Sequence, residues 1–293
     1  MVNTRILSEE FEYVEPKTVE EALDFLATYG EKAKVIAGGT DLLVQMKMGK
    51  IHPKCVVNIS RIPALRYLIK ERGLRIGSLT TFRDLERSQV IKERYTALYE
   101  AARSVSSVQI KSMGTVGGNL CNASPAADAA PPLIVFGGMV KLAEKGHETI
   151  LRLDEFFVGP GEPLLSPTEM LVEIQVPEVT GNVGSAFLKL GRVSADLAKV
   201  SCAVAIERKD NVCGSCGIAL GSVAERPMRA LRAEEMMTGE SFKKELAEKV
   251  AEKASEEIRP ITDVRSTDWY RKEVSKVLVR DALHLAWKRA GGT

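Results

Sequence analysis

Two glycine-rich segments, about seventy-five residues apart, constrain this chain more than anything else in it. The first reads Val35-Ile36-Ala37-Gly38-Gly39-Thr40-Asp41-Leu42-Leu43. The second reads Met113-Gly114-Thr115-Val116-Gly117-Gly118-Asn119-Leu120-Cys121-Asn122-Ala123-Ser124-Pro125, with Asp128 close behind. Glycine reaches positive φ and lets a ligand come close to main-chain N–H groups. Successive N–H groups turned inward form a cradle for an anion. Taken alone, either segment is ambiguous between a tight turn and a binding loop. Two of them, each followed by a plausible helix start, point to one long, doubly charged ligand such as a dinucleotide pyrophosphate.

Neither segment fits a commoner fingerprint. The first lacks the third glycine of G-x-G-x-x-G, and no Gly-Lys-Ser/Thr follows it. That disfavours a Rossmann NAD domain and a P-loop NTPase. In the second, Thr115, Asn119, Asn122 and Ser124 place hydrogen-bonding side chains around the Gly117-Gly118 pair. Asp128 is a candidate acceptor for ribose hydroxyls, and Pro125, Pro131 and Pro132 stiffen the exit.

The flanking pattern sets both segments between elements. Thr18-Val19-Glu20-Glu21 reads as a capping box, with Val19, Ala22, Leu23 and Leu26 at helical spacing and Gly30 as the stop. Lys34 to Ala37 reads as a short strand, and Thr40 as the cap of a helix that ends at Gly49. Further strands are expected at Cys55–Ile59, Leu65–Ile69, Leu74–Gly77 and Met170–Val176, with a hairpin around Glu144-Lys145-Gly146-His147. Helices are expected at Thr81–Arg87 and Lys92–Arg103. Composition shifts at Pro177 to Gly184. Three strands follow (Ser185–Leu190, Lys199–Glu207, Gly214–Leu220), then helices near 229–238, 242–258 and 267–290. Strands followed by helices indicate a separate α+β unit.

Composition excludes several classes. The chain has 293 residues and a net charge of +2, from 41 basic against 39 acidic side chains. No basic excess supports a nucleic-acid surface, and 5% aromatics offer few stacking platforms. No apolar run is long enough to span a membrane. Met1 to Pro16 carries four acidic residues and no signal-peptide core. Five cysteines, an odd number in a long chain, fit a reducing compartment, so the expected location is cytoplasmic.

Some residues invite chemistry without supporting it. Cys213-Gly214-Ser215-Cys216 is a C-x-x-C, yet it falls in a predicted strand, where positions three apart face opposite sides. No second pair completes a four-ligand site. Cys121 reads as a packing residue, oxidant-sensitive only if exposed. His52, His147 and His284 lie in unrelated elements, and no metal site is expected. The charges from Lys243 to Lys253 read as a solvated helix face.

The chain resembles the FAD-binding medium subunit of molybdenum hydroxylases, the xanthine dehydrogenase and carbon monoxide dehydrogenase family. The resemblance rests on Ala37-Gly38-Gly39-Thr40-Asp41-Leu42-Leu43, Thr115-Val116-Gly117-Gly118-Asn119 and Ala123-Ser124-Pro125-Ala126-Ala127-Asp128. Leu153 to Gly161, Phe187 to Arg192 and Asp196 to Val200 extend it, so that it covers about residues 10 to 230. It implies an α+β protein: a two-lobed FAD-binding domain of the vanillyl-alcohol-oxidase type over 1–177, with lobes about 1–57 and 58–177. A smaller α+β C-terminal domain would follow over 178–293.

By the same resemblance, FAD lies between the lobes against Val35, Ile36, Ala37, Gly38, Gly39, Thr40, Asp41 and Leu42 on one side. Thr115, Gly117, Gly118, Asn119 and Ser124 hold its phosphates from the other side, and Asp128 takes a sugar hydroxyl. Leu171, Leu188 and Lys189 map to positions lining the flavin or adenine. No catalytic acid, base or nucleophile is implied, because the cofactor carries the chemistry. The implied reaction is electron transfer. Electrons come from a molybdopterin large subunit through a 2Fe-2S small subunit to FAD, and then to NAD+ or another acceptor. The cysteines here match no ferredoxin spacing. Two rival readings are a self-sufficient FAD oxidase or dehydrogenase and a non-catalytic assembly protein.

Overall fold

A computed structural model describes residue 7 and residues 9–291. The N-terminal stretch read above as lacking a signal peptide falls partly outside these residues. Three hydrophobic cores are stacked along the chain.

The first core is a small parallel sheet with one helix packed on it. It comprises β1 (Glu12–Val14), α1 (Val19–Tyr29), β2 (Ala33–Ile36), α2 (Leu42–Lys47) and β3 (Cys55–Asn58), with strand order β1-β3-β2. The Thr18 hydroxyl accepts from the Glu21 N–H at 3.1 Å. The Glu21 carboxylate accepts from the Lys17 N–H, one residue before the expected partner. Gly30, at φ 50°, ends the helix. Ala22, Leu23 and Leu26 close over Ala33, Cys55 and Val57.

The second core sets six short helices on an antiparallel sheet. In chain order the elements are β4 (Leu68–Lys70), β5 (Gly73–Gly77), α3 (Phe82–Arg87), α4 (Gln89–Arg94), α5 (Thr96–Ser104), α6 (Val108–Met113), α7 (Val116–Cys121) and α8 (Ala130–Val135). Then come β6 (Met139–Glu144), β7 (His147–Arg152), β8 (Phe157–Gly159), β9 (Glu162–Pro163) and β10 (Met170–Pro177). The large sheet runs β4-β5-β10-β6-β7. Leu74, Ile76, Val140, Leu142, Ile174 and Val176 share its helix-bearing face, the period-2 alternation of a half-buried sheet.

The third core comprises β11 (Asn182–Leu190), β12 (Val200–Lys209), β13 (Val212–Gly221), β14 (Met228–Arg229), α9 (Leu231–Met237), α10 (Lys244–Glu257) and α11 (Asp268–Arg289). Its sheet is antiparallel, in the order β11-β12-β13-β14. Cys202, Val204, Ile206, Ile218 and Leu220 face α9 to α11, whereas Phe187, Ala203, Ala205 and Ala219 join the second core. Burial on both faces explains why Val200 to Ile206 shows no polar alternation.

Four local expectations need correction. Leu65–Ile69 is not one strand. Pro63–Leu65 forms a 3₁₀ turn and β4 starts only at Leu68, because proline pre-sets the turn dihedral and lacks an N–H for a ladder. The helix expected over Lys92–Arg103 breaks at Tyr95 (φ −124°, ψ 52°). There the Tyr95 ring meets Phe136 edge-on and its hydroxyl donates to the Pro177 carbonyl at 3.0 Å, so a tertiary contact overrides helix continuity. Thr40 does not cap α2. Asp41 occupies the cap position, and no side chain caps it. Finally, Cys213 and Cys216 lie in the same core rather than on opposite faces, because a β-bulge at Gly214 shifts the alternation by one residue.

Candidate functional site

The two glycine segments, apart in sequence, meet in space. A β-carbon on Gly38 would lie 1.9 Å from the Met113 carbonyl oxygen and 3.2 Å from the Gly114 nitrogen. Only glycine permits that approach. Gly39, at φ 69°, turns the chain between β2 and α2. Among the described residues, the N–H groups of Gly38, Gly39, Thr40 and Asp41 donate to no protein acceptor. Side chains extend the junction. Gln45 Nε2 donates to Asn122 Oδ1 at 3.1 Å, and Asn122 Nδ2 donates to Asp41 Oδ1 at 3.4 Å.

The second glycine segment is a helix rather than a loop. Thr115 is the N-cap of α7, and its hydroxyl accepts from the Gly118 N–H at 3.0 Å. The Gly117 N–H donates to the Ser78 carbonyl at 3.1 Å, and the Val116 N–H to Thr80 at 2.9 Å. Both glycine N–H groups therefore have protein partners. A β-carbon on Gly117 would lie 2.7 Å from Ser78 Cβ, so this glycine lets α7 press against the β5–α3 turn. The polar groups at this face are the side chains of Thr115, Asn119 and Ser124. Asn119 Oδ1 accepts from the Ala129 N–H at 3.3 Å, and Ser124 Oγ accepts from the Ala126 N–H at 3.2 Å.

The third core supplies the remaining wall. Lys189 Nζ donates to Asp128 Oδ2 at 2.7 Å and to the Ser104 carbonyl at 3.2 Å. Both side chains of this ion pair are only 8% exposed. Asp128 Oδ1 is buried and has no hydrogen-bond partner. A buried carboxylate oxygen is seldom left unpaired, so this atom is a candidate acceptor for a ligand donor. Pro125 accepts from the Ser222 N–H at 2.7 Å, which pins the 123–128 loop to the third core. Ala123 and Ser222 both hold positive φ (45° and 61°) beside this junction. Non-glycine residues adopt such angles at a cost and cluster at functional sites.

Comparison with known proteins decides the family. Residues 9–179 match the family described as FAD binding domain in molybdopterin dehydrogenase. Residues 185–286 match the CO dehydrogenase flavoprotein C-terminal domain. The chain is 34% identical to the carbon monoxide dehydrogenase medium chain of Hydrogenophaga pseudoflava, over 95% of this chain and 98% of that one. It is 31% identical to the glyceraldehyde dehydrogenase medium chain of Sulfolobus acidocaldarius, over 93% and 97%. A solved structure of the Hydrogenophaga pseudoflava carbon monoxide dehydrogenase contains a chain that superimposes with a TM-score of 0.94, over 97% of this chain and 99% of that one. The protein belongs to the FAD-binding subunits of molybdenum hydroxylases.

FAD is therefore the cofactor of this oxidoreductase subunit, and the residues where the two glycine segments meet suit such a ligand. The Gly38–Met113 approach leaves no room for a side chain at Gly38, and the open N–H groups beside it suit phosphate oxygens. The unpaired Asp128 oxygen suits a hydroxyl donor. Burial raises the Asp128 pKa above its ordinary 3.8, with the Lys189 ammonium opposing that rise. Burial also pushes the half-buried Cys121 thiol up to about 12, which disfavours its thiolate.

The sequence-predicted residues do not all converge. Lys189 and Asp128 meet directly. Leu188, its side chain on the other face of β11, packs against the core of the third unit. Leu171 lies in the second core, just before a bulge in β10. Val35 and Ala37 pack against the first core. Three residues went unseen in the sequence. Gln45 bridges α2 to Asn122. Ser78 backs Gly117 and has a buried, partnerless hydroxyl. Ser201, opposite Lys189 in the ladder, has another. Only strand register reveals the last, and sequence does not carry that pairing.

Proposed function

We propose that this FAD subunit is the electron outlet of a three-component molybdenum hydroxylase. In this reading a molybdopterin large subunit oxidises the organic substrate. A 2Fe-2S small subunit relays the electrons to the FAD of this chain, and NAD+ or another acceptor removes them. FAD, when bound, supplies the redox chemistry, accepting and releasing electrons at its flavin ring. The chain's own residues bind and orient. The N–H groups of Gly38, Gly39, Thr40 and Asp41 hold phosphate oxygens. Thr115, Asn119 and Ser124 offer side-chain hydrogen bonds from α7 and its exit. Asp128, anchored by Lys189, accepts from a sugar hydroxyl. The FAD-binding unit would span 1–177, with lobes divided near residue 57, and the C-terminal unit 178–293.

One observation carries the site assignment: the partnerless Asp128 Oδ1, held beside Lys189 at the meeting of the second and third cores. The medium-chain names of the relatives support the division of labour. The test is made on the chain purified alone and again with co-expressed partner subunits. Released flavin is expected to be FAD at one per chain. Substrate is expected to bleach the flavin only when the partners are present, with NAD+ restoring the colour if it is the acceptor. Substrate turnover by the isolated, FAD-loaded chain would overturn the proposal and favour a self-sufficient oxidase.

A further inference from the structure

The third core holds a pair of cysteines that the flavin chemistry does not use. In the β12–β13 ladder, Arg208 pairs with Cys213, the register then shifts, and Glu207 and Ile206 pair with Ser215 and Cys216. Gly214 is the extra residue of a bulge. Cys213 and Cys216 thus stand opposite residues two apart on the partner strand, and both side chains enter the core beneath the helices. Two strand steps span about 6.6 Å. That lies within the roughly 4.4–6.8 Å between α-carbons that a disulfide accepts. Both cysteines are free thiols, buried at 0% and 8% exposure.

The two thiols are also differentiated. A hydrogen bond from Cys216 holds Cys213 below the ordinary thiol pKa of 9.0, although burial opposes it. Donating that hydrogen bond, together with burial, raises Cys216 well above the same value. The Cys213 thiol donates to the Ser215 carbonyl oxygen at 3.3 Å. Cys202, on the same face of β12, is pushed up by burial alone. Cys213 is therefore the member of this cluster that ionises first, and its neighbour supplies the second sulfur. It lies at the turn end of the β12–β13 hairpin, one residue past the Val212–Ser241 bridge, with its N–H donating to the Glu240 carbonyl at 2.9 Å.

We propose that Cys213 and Cys216 form a reversible disulfide whose oxidant is a small peroxide. The Cys213 thiolate attacks one peroxide oxygen, the O–O bond breaks, and hydroxide leaves as a sulfenic acid forms. The Cys216 sulfur then attacks the sulfenic sulfur, the S–O bond breaks and the S–S bond forms. The proton that Cys213 loses on ionising and the Cys216 proton join the two departing hydroxyl groups as two waters. The sulfurs lose two electrons and the peroxide gains two. A dithiol reductant reverses the change. The assignment is independent of the FAD site, so either can fail alone.

The test treats the full-length, flavin-loaded protein with hydrogen peroxide, then denatures and alkylates it. The tryptic peptide Asp210–Arg229 contains these two cysteines and no others. It is expected to resist alkylation and to weigh two hydrogens less than its reduced form. After treatment with dithiothreitol it takes two alkyl groups. Cys216→Ser is expected to trap the Cys213 sulfenic acid as a dimedone adduct, whereas Cys202→Ser keeps the disulfide. Two alkyl groups on this peptide after peroxide that oxidises free cysteine in the same tube overturn the proposal. So does a bridge from either residue to Cys202.

Discussion

Gly38 and the Met113 carbonyl are in backbone contact, with 1.9 Å between that oxygen and the position a Gly38 β-carbon would take. This contact joins the two glycine segments proposed to hold FAD. Gly38→Ala must push the two glycine segments apart. Overpacking of this kind costs about 1–3 kcal/mol, and the displaced N–H groups no longer address the phosphates. Denaturant unfolding of the flavin-free protein is expected to show that loss, and flavin per chain after purification is expected to fall. Full flavin retention by the variant would show that the contact does not shape the site.

Gly117 has a different task. Its N–H donates to Ser78, and a β-carbon there would lie 2.7 Å from both Ser78 Cβ and the Ser78 carbonyl oxygen. In a free helix, Gly→Ala gains about 0.5–1 kcal/mol. Here the clash prevails, and Gly117→Ala is expected to destabilise by about 1–3 kcal/mol. The midpoint of urea unfolding gives the sign directly. A higher midpoint would mean that α7 can lift off the β5–α3 turn at little cost.

Glu173 ties the large sheet together from its other face. Its carboxylate, 2% exposed, accepts from Arg75 Nε at 2.8 Å, from Gln175 Nε2 at 2.7 Å and from the Tyr67 hydroxyl. Burial pushes its pKa up, but the hydrogen bonds from Tyr67, Gln175 and Arg75 win, and it settles below the ordinary 4.5. A depressed carboxylate contributes stability above its unfolded pKa and loses it as pH falls through the folded one. Glu173→Gln is expected to cost about 1.5–3 kcal/mol near neutral pH, the range of a hydrogen bond to a charged group. The gap from wild type should close below pH 4.5. A gap unchanged into that acid range would show that the lost charge was not the cause.

These three sites show how much of the molecule is legible in the sequence. The glycine pairs, the hairpin at Lys145-Gly146 and the strand-then-helix order of the third unit are written in local chemistry: positive φ, capping and alternation. What was hidden depends on register and on tertiary contact. Tyr95 breaks a helix because Phe136 and Pro177 hold it. A bulge at Gly214 turns two cysteines the same way, against the simple period of a strand. Thr115 starts a helix in which the Gly118 N–H goes to the Thr115 hydroxyl and the Gly117 N–H to the Ser78 carbonyl. The Asp128–Lys189 contact joins residues sixty-one apart on different units, and no spacing rule announces it.

That contact carries the prediction closest to function. Lys189→Met removes the partner of a buried carboxylate, a change that costs about 3–5 kcal/mol when the charge is left uncompensated. Asp128→Asn on the same background removes the charge and is expected to recover most of it. The pH dependence has a definite sign. Burial raises the folded pKa of Asp128 above 3.8, so between those values the folded, flavin-free protein binds more protons than the unfolded chain. The stability contribution of this group is therefore full below pH 3.8 and declines as pH rises through the folded pKa. A hydroxyl donated by FAD to Oδ1 favours the carboxylate, so flavin affinity should rise over the same interval. Asp128→Asn should flatten both trends. It should also weaken FAD binding about ten- to a hundredfold, as expected for a lost hydrogen bond to a charged acceptor. Flavin titrations from acid to neutral pH read all three effects. An Asp128→Asn protein that binds FAD as wild type does, with the same pH profile, would remove Asp128 from the cofactor site and leave its unpaired oxygen without a ligand to explain it.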